Sequence, residues 1–172
     1  MKYDYISLYN ANKAFLDKHP LLKRATVLLN PFLTAFVSIC YAFFCLYALR
    51  QEILDPKAKV ALLFVPALAF LTVTILRLAI ERPRPYNENG ANIQPIVKKC
   101  RADTKSFPSR HMACAAVIAV TFLRFLPWVG VLLLALSLVL AYTRFALGLH
   151  YPSDLLVGEG VGLMIGCLIF II

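Results

Sequence analysis

The sequence predicts an all-α protein: a polytopic membrane bundle of about five transmembrane helices, preceded by an amphipathic helix lying in the interface. Three observations predict it. Sixty per cent of the residues are hydrophobic and only 16% charged, a poor match to a soluble globule. Apolar runs near the length needed to cross a bilayer recur along the 172 residues. The charge that remains is basic, with 18 Lys and Arg against 9 Asp and Glu and a formal net charge of +9. That excess suits loops lying against anionic headgroups. The basic residues are scattered rather than grouped on one soluble face, which argues against nucleic-acid binding. One domain, residues 1–172, is expected, with residues 1–25 as an interfacial N-terminal segment and residues 77–154 as a motif-bearing core.

Residues 3–18 do not read as a signal peptide, because Asp4 sits at the front and no apolar core leads to a small-residue cleavage site. Tyr5, Leu8, Tyr9, Phe15 and Leu16 recur at helical spacing among charged residues, the pattern of a helix in the interface. His19-Pro20 ends it. The first span is expected over about residues 26–49, with Pro31 near its start, and the second over about residues 60–80, with Pro66 as a kink point. A polar loop follows over residues 86–107. The third span runs over residues 108–126, where Pro127 breaks it and Trp128 serves as an interfacial anchor. The fourth covers about residues 128–145 and the fifth begins near Ser153. Gly158, Gly162 and Gly166 make a small-residue stripe on that last span, which predicts close helix packing. Of five cysteines, Cys40, Cys45, Cys114 and Cys167 sit in apolar runs as small hydrophobes, and Cys100 lies in the polar loop. None has metal-ligand spacing.

The stretch from Tyr142 to Asp154, YTRFALGLHYPSD, carries the chemistry. Ionisable groups at the border of apolar spans are costly and mark a site. A neutral His150 can be a nucleophile, and Asp154 on its second nitrogen would fix the tautomer and stabilise the developing cation. Arg144 offers a planar fork of donors for a phosphate-like anion. The bland alternative is a snorkelling Arg144, an interfacial His150 and an Asp154 that caps a helix. Counting crossings adds to the functional reading. The second span exits with Arg77, Arg82 and Arg84, the third starts on that side with Ser109, Arg110 and His111, and the fourth returns there with Arg144, His150 and Asp154. Three distant polar clusters therefore share one membrane face.

These clusters resemble the signature of the type 2 phosphatidic acid phosphatase superfamily, which also includes vanadium haloperoxidases and bacterial acid phosphatases. The family pattern is Lys-x6-Arg-Pro, Pro-Ser-Gly-His and Ser-Arg-x5-His-x3-Asp. This chain has Arg77-x6-Arg84-Pro85, Pro108-Ser109-Arg110-His111 and Thr143-Arg144-x5-His150-x3-Asp154. The resemblance implies that His150 is a nucleophile forming a phosphohistidine and that Asp154 orients it. It implies that His111 is the general acid and then the base. Arg77, Arg84, Ser109 and Arg144, with the main-chain N–H of Arg110, would form the phosphate shell. Donors of this kind can stabilise a phosphoryl transition state without a metal, so no metal and no cofactor are expected. Three residues depart from the pattern. Arg77 replaces lysine, Thr143 replaces serine, and Arg110 replaces glycine, where its side chain either narrows the site and meets the headgroup or points to solvent.

The function expected is metal-independent dephosphorylation of a membrane lipid phosphate. Phosphatidic acid, phosphatidylglycerol phosphate, polyprenyl phosphates or diphosphates and lipid A are all compatible. Two other readings compete: a haloperoxidase-like vanadate site, disfavoured by five apolar spans, and a non-catalytic anion-binding or transport protein. Transport does not account for His111, His150 and Asp154 together. The absence of an N-x-Ser/Thr sequon is consistent with a bacterial plasma membrane. The two indications of sidedness conflict. Lys2, Lys13, Lys18, Lys23 and Arg24 on the motif side would place it in the cytoplasm, whereas the resemblance implies an extracytoplasmic site, and the expectation follows the resemblance.

Overall fold

The computed structural model describes residues 2–88, 93–97 and 104–172. Six α-helices account for most of them: α1 Lys2–Lys18, α2 Pro20–Arg50, α3 Pro56–Ile80, α4 Arg110–Phe125, α5 Pro127–Ala146 and α6 Pro152–Gly166. Short 3-10 turns lie at Pro85–Asn87 and Cys167–Phe170. Four prolines open helices: Pro20, Pro56, Pro127 and Pro152 each stand in a first turn. Proline is tolerated there because its missing N–H would have no partner in the helix anyway. Asp55 reinforces the start of α3, its carboxylate accepting from the Lys57 N–H at 3.2 Å.

Pro31 and Pro66 lie inside α2 and α3, which continue through them. A proline frees the carbonyl four residues before it. For Pro66 that carbonyl belongs to Leu62, and it accepts a hydrogen bond from the Tyr41 hydroxyl of α2. A neighbouring helix thus satisfies the group that lipid could not.

Four stretches are long and apolar enough to cross a membrane on their own: α2, α3, α5 and Pro152–Phe170. The fifth span, α4, has only 16 residues, roughly 24 Å at 1.5 Å per residue, less than a hydrocarbon layer of about 30 Å. Its environment explains the difference. Every residue from Ala115 to Phe122 is buried, so α4 is solvated by other helices rather than by lipid. Its alanines let those helices come close, and the glycine stripe of α6 does the same from the other side. A Cβ at Gly158 would stand 2.5 Å from the Ser109 carbonyl oxygen, and one at Gly162 would stand 2.4 Å from that of Ala113. Only hydrogen fits at these crossings.

The helix α1 docks on the bundle through Tyr5, Tyr9 and Leu16, while Leu8 and Phe15 face outward. The Tyr5 ring lies 4.7 Å from that of Tyr151 and 6.0 Å from that of Phe145, centroid to centroid. The Tyr9 hydroxyl donates to the Gln94 carbonyl at 2.8 Å. Trp128 is 88% exposed at the start of α5, as an interfacial anchor requires. Cys100 lies outside the described residues. Cys40, Cys45, Cys114 and Cys167 are free thiols.

Candidate active site

The turn between α5 and α6 is built by glycine. Gly148 has φ +74°, a conformation side chains disfavour. It follows the last turn of α5, where the N–H groups of Leu147, Gly148 and Leu149 return to the carbonyls of Thr143, Phe145 and Arg144. The Tyr9 ring closes over it, 3.0 Å from where a Cβ would stand. The chain is thereby turned so that His150 points inward, with only 1% of its surface exposed.

Asp154, one helical turn later, is fully buried. Its Oδ2 accepts the Tyr151 N–H at 3.0 Å and lies 3.6 Å from His150 Nδ1. Asp154 is therefore a helix cap and the neighbour of His150 at once. Snorkelling does not describe the cluster, since Arg144 is only 5% exposed. Facing Asp154 with Nδ1 leaves Nε2 as the nitrogen available for chemistry. Burial pulls the His150 imidazole down to about 4, against the opposing effect of Asp154 and with Arg84 and Arg144 adding to the fall. The ring is neutral at neutral pH, the form in which it can attack.

The second cluster meets the first through the backbone. The Ser109 N–H donates to the Asp154 carbonyl at 3.0 Å, which ties the start of α4 to the first turn of α6. Ser109 occupies the N-cap of α4, but its hydroxyl caps nothing and is buried without a hydrogen-bond partner. The free N–H groups of a helix start and an uncommitted hydroxyl form a cradle for an anion. His111, in the first turn of α4, has Arg144, His150, Arg110 and Arg84 within electrostatic reach.

The arginines divide into two kinds. Arg84 and Arg144 lie beside His150; Arg84 donates to the Leu149 carbonyl at 3.4 Å, and Arg144 to the Thr34 hydroxyl at 3.3 Å. Arg144 Nε is buried without a hydrogen-bond partner. Arg77 is committed differently. It donates to the carbonyls of Ser106 at 3.2 Å and Pro108 at 3.0 Å, and to that of Lys105. It holds the segment that delivers Ser109. Thr143 bonds to its own helix at Leu140, 2.8 Å, and lies 3.5 Å from the Asn30 side chain.

A cavity of about 340 Å³ opens beside His111. Arg110, His111, Thr34 and Ser38 contribute its polar lining, and Val37, Phe70, Ile118 and Leu140 its apolar lining. From Arg110 to Ile118 it follows nine residues of α4, roughly 12 Å from first to last. Arg110, which replaces the usual glycine, thus lines the cavity. Among the described residues no group of three or more His, Cys, Asp or Glu side chains could hold a metal ion.

Two participants escaped the sequence reading. Thr34 holds Arg144 from α2, and its only sequence signal is a hydroxyl in an apolar run. Arg82, noted at the exit of the second span but given no role, donates to Asp154 Oδ1 at 2.9 Å.

The family model described as "PAP2 superfamily" matches residues 58–172. The chain is 34% identical over 126 residues to the lipid A 4'-phosphatase of Bacteroides thetaiotaomicron, an alignment covering 66% of this chain and 56% of that protein. It therefore spans just over half the length of that relative. It is 32% identical over 168 residues to the Escherichia coli K12 protein named "Putative undecaprenyl-diphosphatase YbjG", covering 95% of this chain and 79% of the other. A transmembrane PAP2-type phosphatidylglycerolphosphate phosphatase of Bacillus subtilis superposes with a TM-score of 0.70, covering 98% of this chain and 83% of that one, at 22% identity. That likeness is one of fold. With two thirds of its length matched by the family model, this chain belongs to the PAP2 superfamily.

Proposed function

We propose that this protein removes phosphate from a membrane lipid phosphate or diphosphate through a phosphohistidine on His150. The observation that carries the proposal is the cavity beside His111, polar at one end and apolar along about two turns of α4. An amphiphile with a phosphate head and a hydrocarbon tail matches that polarity, as an inorganic anion or a soluble ester does not. The names of the relatives, a lipid A phosphatase and an undecaprenyl-diphosphatase, support the same substrate class.

In the proposed reaction His150 Nε2 attacks phosphorus while Asp154 faces Nδ1 and stabilises the cation that develops there. The bond from phosphorus to the lipid oxygen breaks, and His111 gives that oxygen its proton. Water then attacks the phosphohistidine and loses a proton to His111. The N–P bond breaks, inorganic phosphate leaves and His150 is neutral again. Arg84, Arg144, Ser109 and the Arg110 N–H hold the phosphoryl oxygens. Arg77 contributes by fixing the 105–108 carbonyls, and the Arg110 side chain meets the headgroup from the cavity wall.

Purified protein in detergent should release inorganic phosphate from a panel of lipid A, undecaprenyl diphosphate and phosphatidylglycerol phosphate, and should do so equally in EDTA. Vanadate, which mimics the five-coordinate transition state, should compete. Activity lost in EDTA and restored by a divalent metal would overturn the proposal. Binding of lipid phosphate with no release would favour the transport reading.

The site is proposed to face the extracytoplasmic side, as the family resemblance implies; the site arginines serve substrate rather than topology, and the N-terminal basic residues count against this placement. With the other four cysteines replaced, an impermeant thiol reagent should label Cys100 on intact cells. Labelling only after permeabilisation reverses the assignment.

A further inference from the structure

We infer that Arg82 is a positioning residue for the reaction, acting through Asp154 on His150. This rests on His150 being the nucleophile. The carboxylate of Asp154 stands between two partners: Oδ1 accepts from Arg82 Nη1 at 2.9 Å, and Oδ2 faces His150 Nδ1 at 3.6 Å while accepting the Tyr151 N–H at 3.0 Å. Without Arg82, one oxygen of a fully buried carboxylate would lose its charged partner, and only the Tyr151 N–H on Oδ2 would resist rotation about its last bond. With it, the carboxylate is held at both oxygens, and Oδ2 is kept facing His150 Nδ1 at 3.6 Å.

Arg82 is itself held on three sides. Its guanidinium lies 4.0 Å over the Tyr151 ring, a cation–π contact, and donates to Ser153 Oγ at 2.8 Å. Its carbonyl accepts the Ser106 N–H at 2.8 Å and the Ser106 hydroxyl at 3.2 Å. Ser106 is fully buried, and Arg77 grips its carbonyl. Ser106 thus joins the two halves of the site, tying residues 105–109, which carry Ser109, to Arg82, which holds the His–Asp pair. Lysine could supply the charge at position 82, and one nitrogen of Arg82, Nη1, reaches both Ser153 and Asp154, but an ammonium has no flat face to lie over the Tyr151 ring.

A guanidinium on the far side of the carboxylate from His150 should act on the chemical step and not on substrate binding. Arg82→Ala is expected to lower kcat roughly 10- to 100-fold, the scale of an ångström-sized misplacement of a reacting group, with KM changed by less than about 2-fold. Free guanidinium should restore much of the loss, and Arg82→Lys should lie between. If Arg82→Ala does not fold, Arg82→Lys carries the test, and its loss must again be in kcat. Wild-type kcat in both variants overturns the inference. So does a loss carried by KM, which would make Arg82 a phosphate ligand, or one that neither lysine nor guanidinium reduces, which would make it structural. His150→Ala is assayed beside them: an active His150→Ala overturns the reading beneath the inference as well, whereas an inactive one with a fully active Arg82→Ala sinks the inference alone.

Discussion

His150→Ala should abolish turnover and leave no phosphate on the protein. The expectation follows from how little else in the site could replace it. His150 is buried, presents Nδ1 to Asp154 at 3.6 Å and is neutral at neutral pH, its imidazole lowered to about 4 by burial. Removing the ring removes the only nucleophile the account contains, and with it the covalent intermediate that divides one difficult displacement into two easier ones. Fold and lipid binding should survive, because the turn is held by Gly148 and by the hydrogen bonds of Asp154 to Tyr151 and Arg82. Phosphate release at the background rate, with an unchanged melting temperature in detergent, is the expected pair of readings. Asp154→Asn should be less severe, since an amide keeps a neighbour for Nδ1 but loses the charge that stabilises the imidazolium.

His111→Ala should treat leaving groups unequally. His111 lines the cavity proposed to take the lipid, which would put it beside the departing oxygen. An alkyl phosphate leaves as a strongly basic alkoxide and needs that proton; its cleavage should fall by ~10²- to 10⁴-fold. An aryl phosphate with an acidic phenol needs little help. Its first step should proceed, and the phosphohistidine should then accumulate because no base activates water. Rapid-quench kinetics with the two substrate types separate these steps. Equal losses on both substrates, without accumulation, would place His111 in binding rather than in proton transfer.

Much of this architecture is legible in the sequence because its signals are local. Proline at the border of a span and the stripe of Gly158, Gly162 and Gly166 each state a backbone requirement, and α5 at Pro127–Ala146 falls within a residue of the stretch expected. The approach of the three polar clusters is legible from parity, since an odd number of crossings would have parted them. What is not legible depends on partners far along the chain. Arg82 and Asp154 are 72 residues apart, and no spacing within either motif links them. Arg77 sits at a motif position, yet its carbonyl partners are 28 to 31 residues on; sequence records the charge and not what it grips. The brevity of α4 also follows from its neighbours, because a helix enclosed by others has no bilayer thickness to match. For Arg110, sequence leaves two directions open, and its place in the cavity lining is one that no spacing encodes.

The most direct test of the account is to quench the wild-type protein in alkali during turnover of a ³²P-labelled lipid phosphate and to map the label. Acid-labile, base-stable phosphate is expected on His150, absent from His150→Ala and increased in His111→Ala with an aryl substrate. Label retained in His150→Ala, or found on His111 in the wild type, would contradict it.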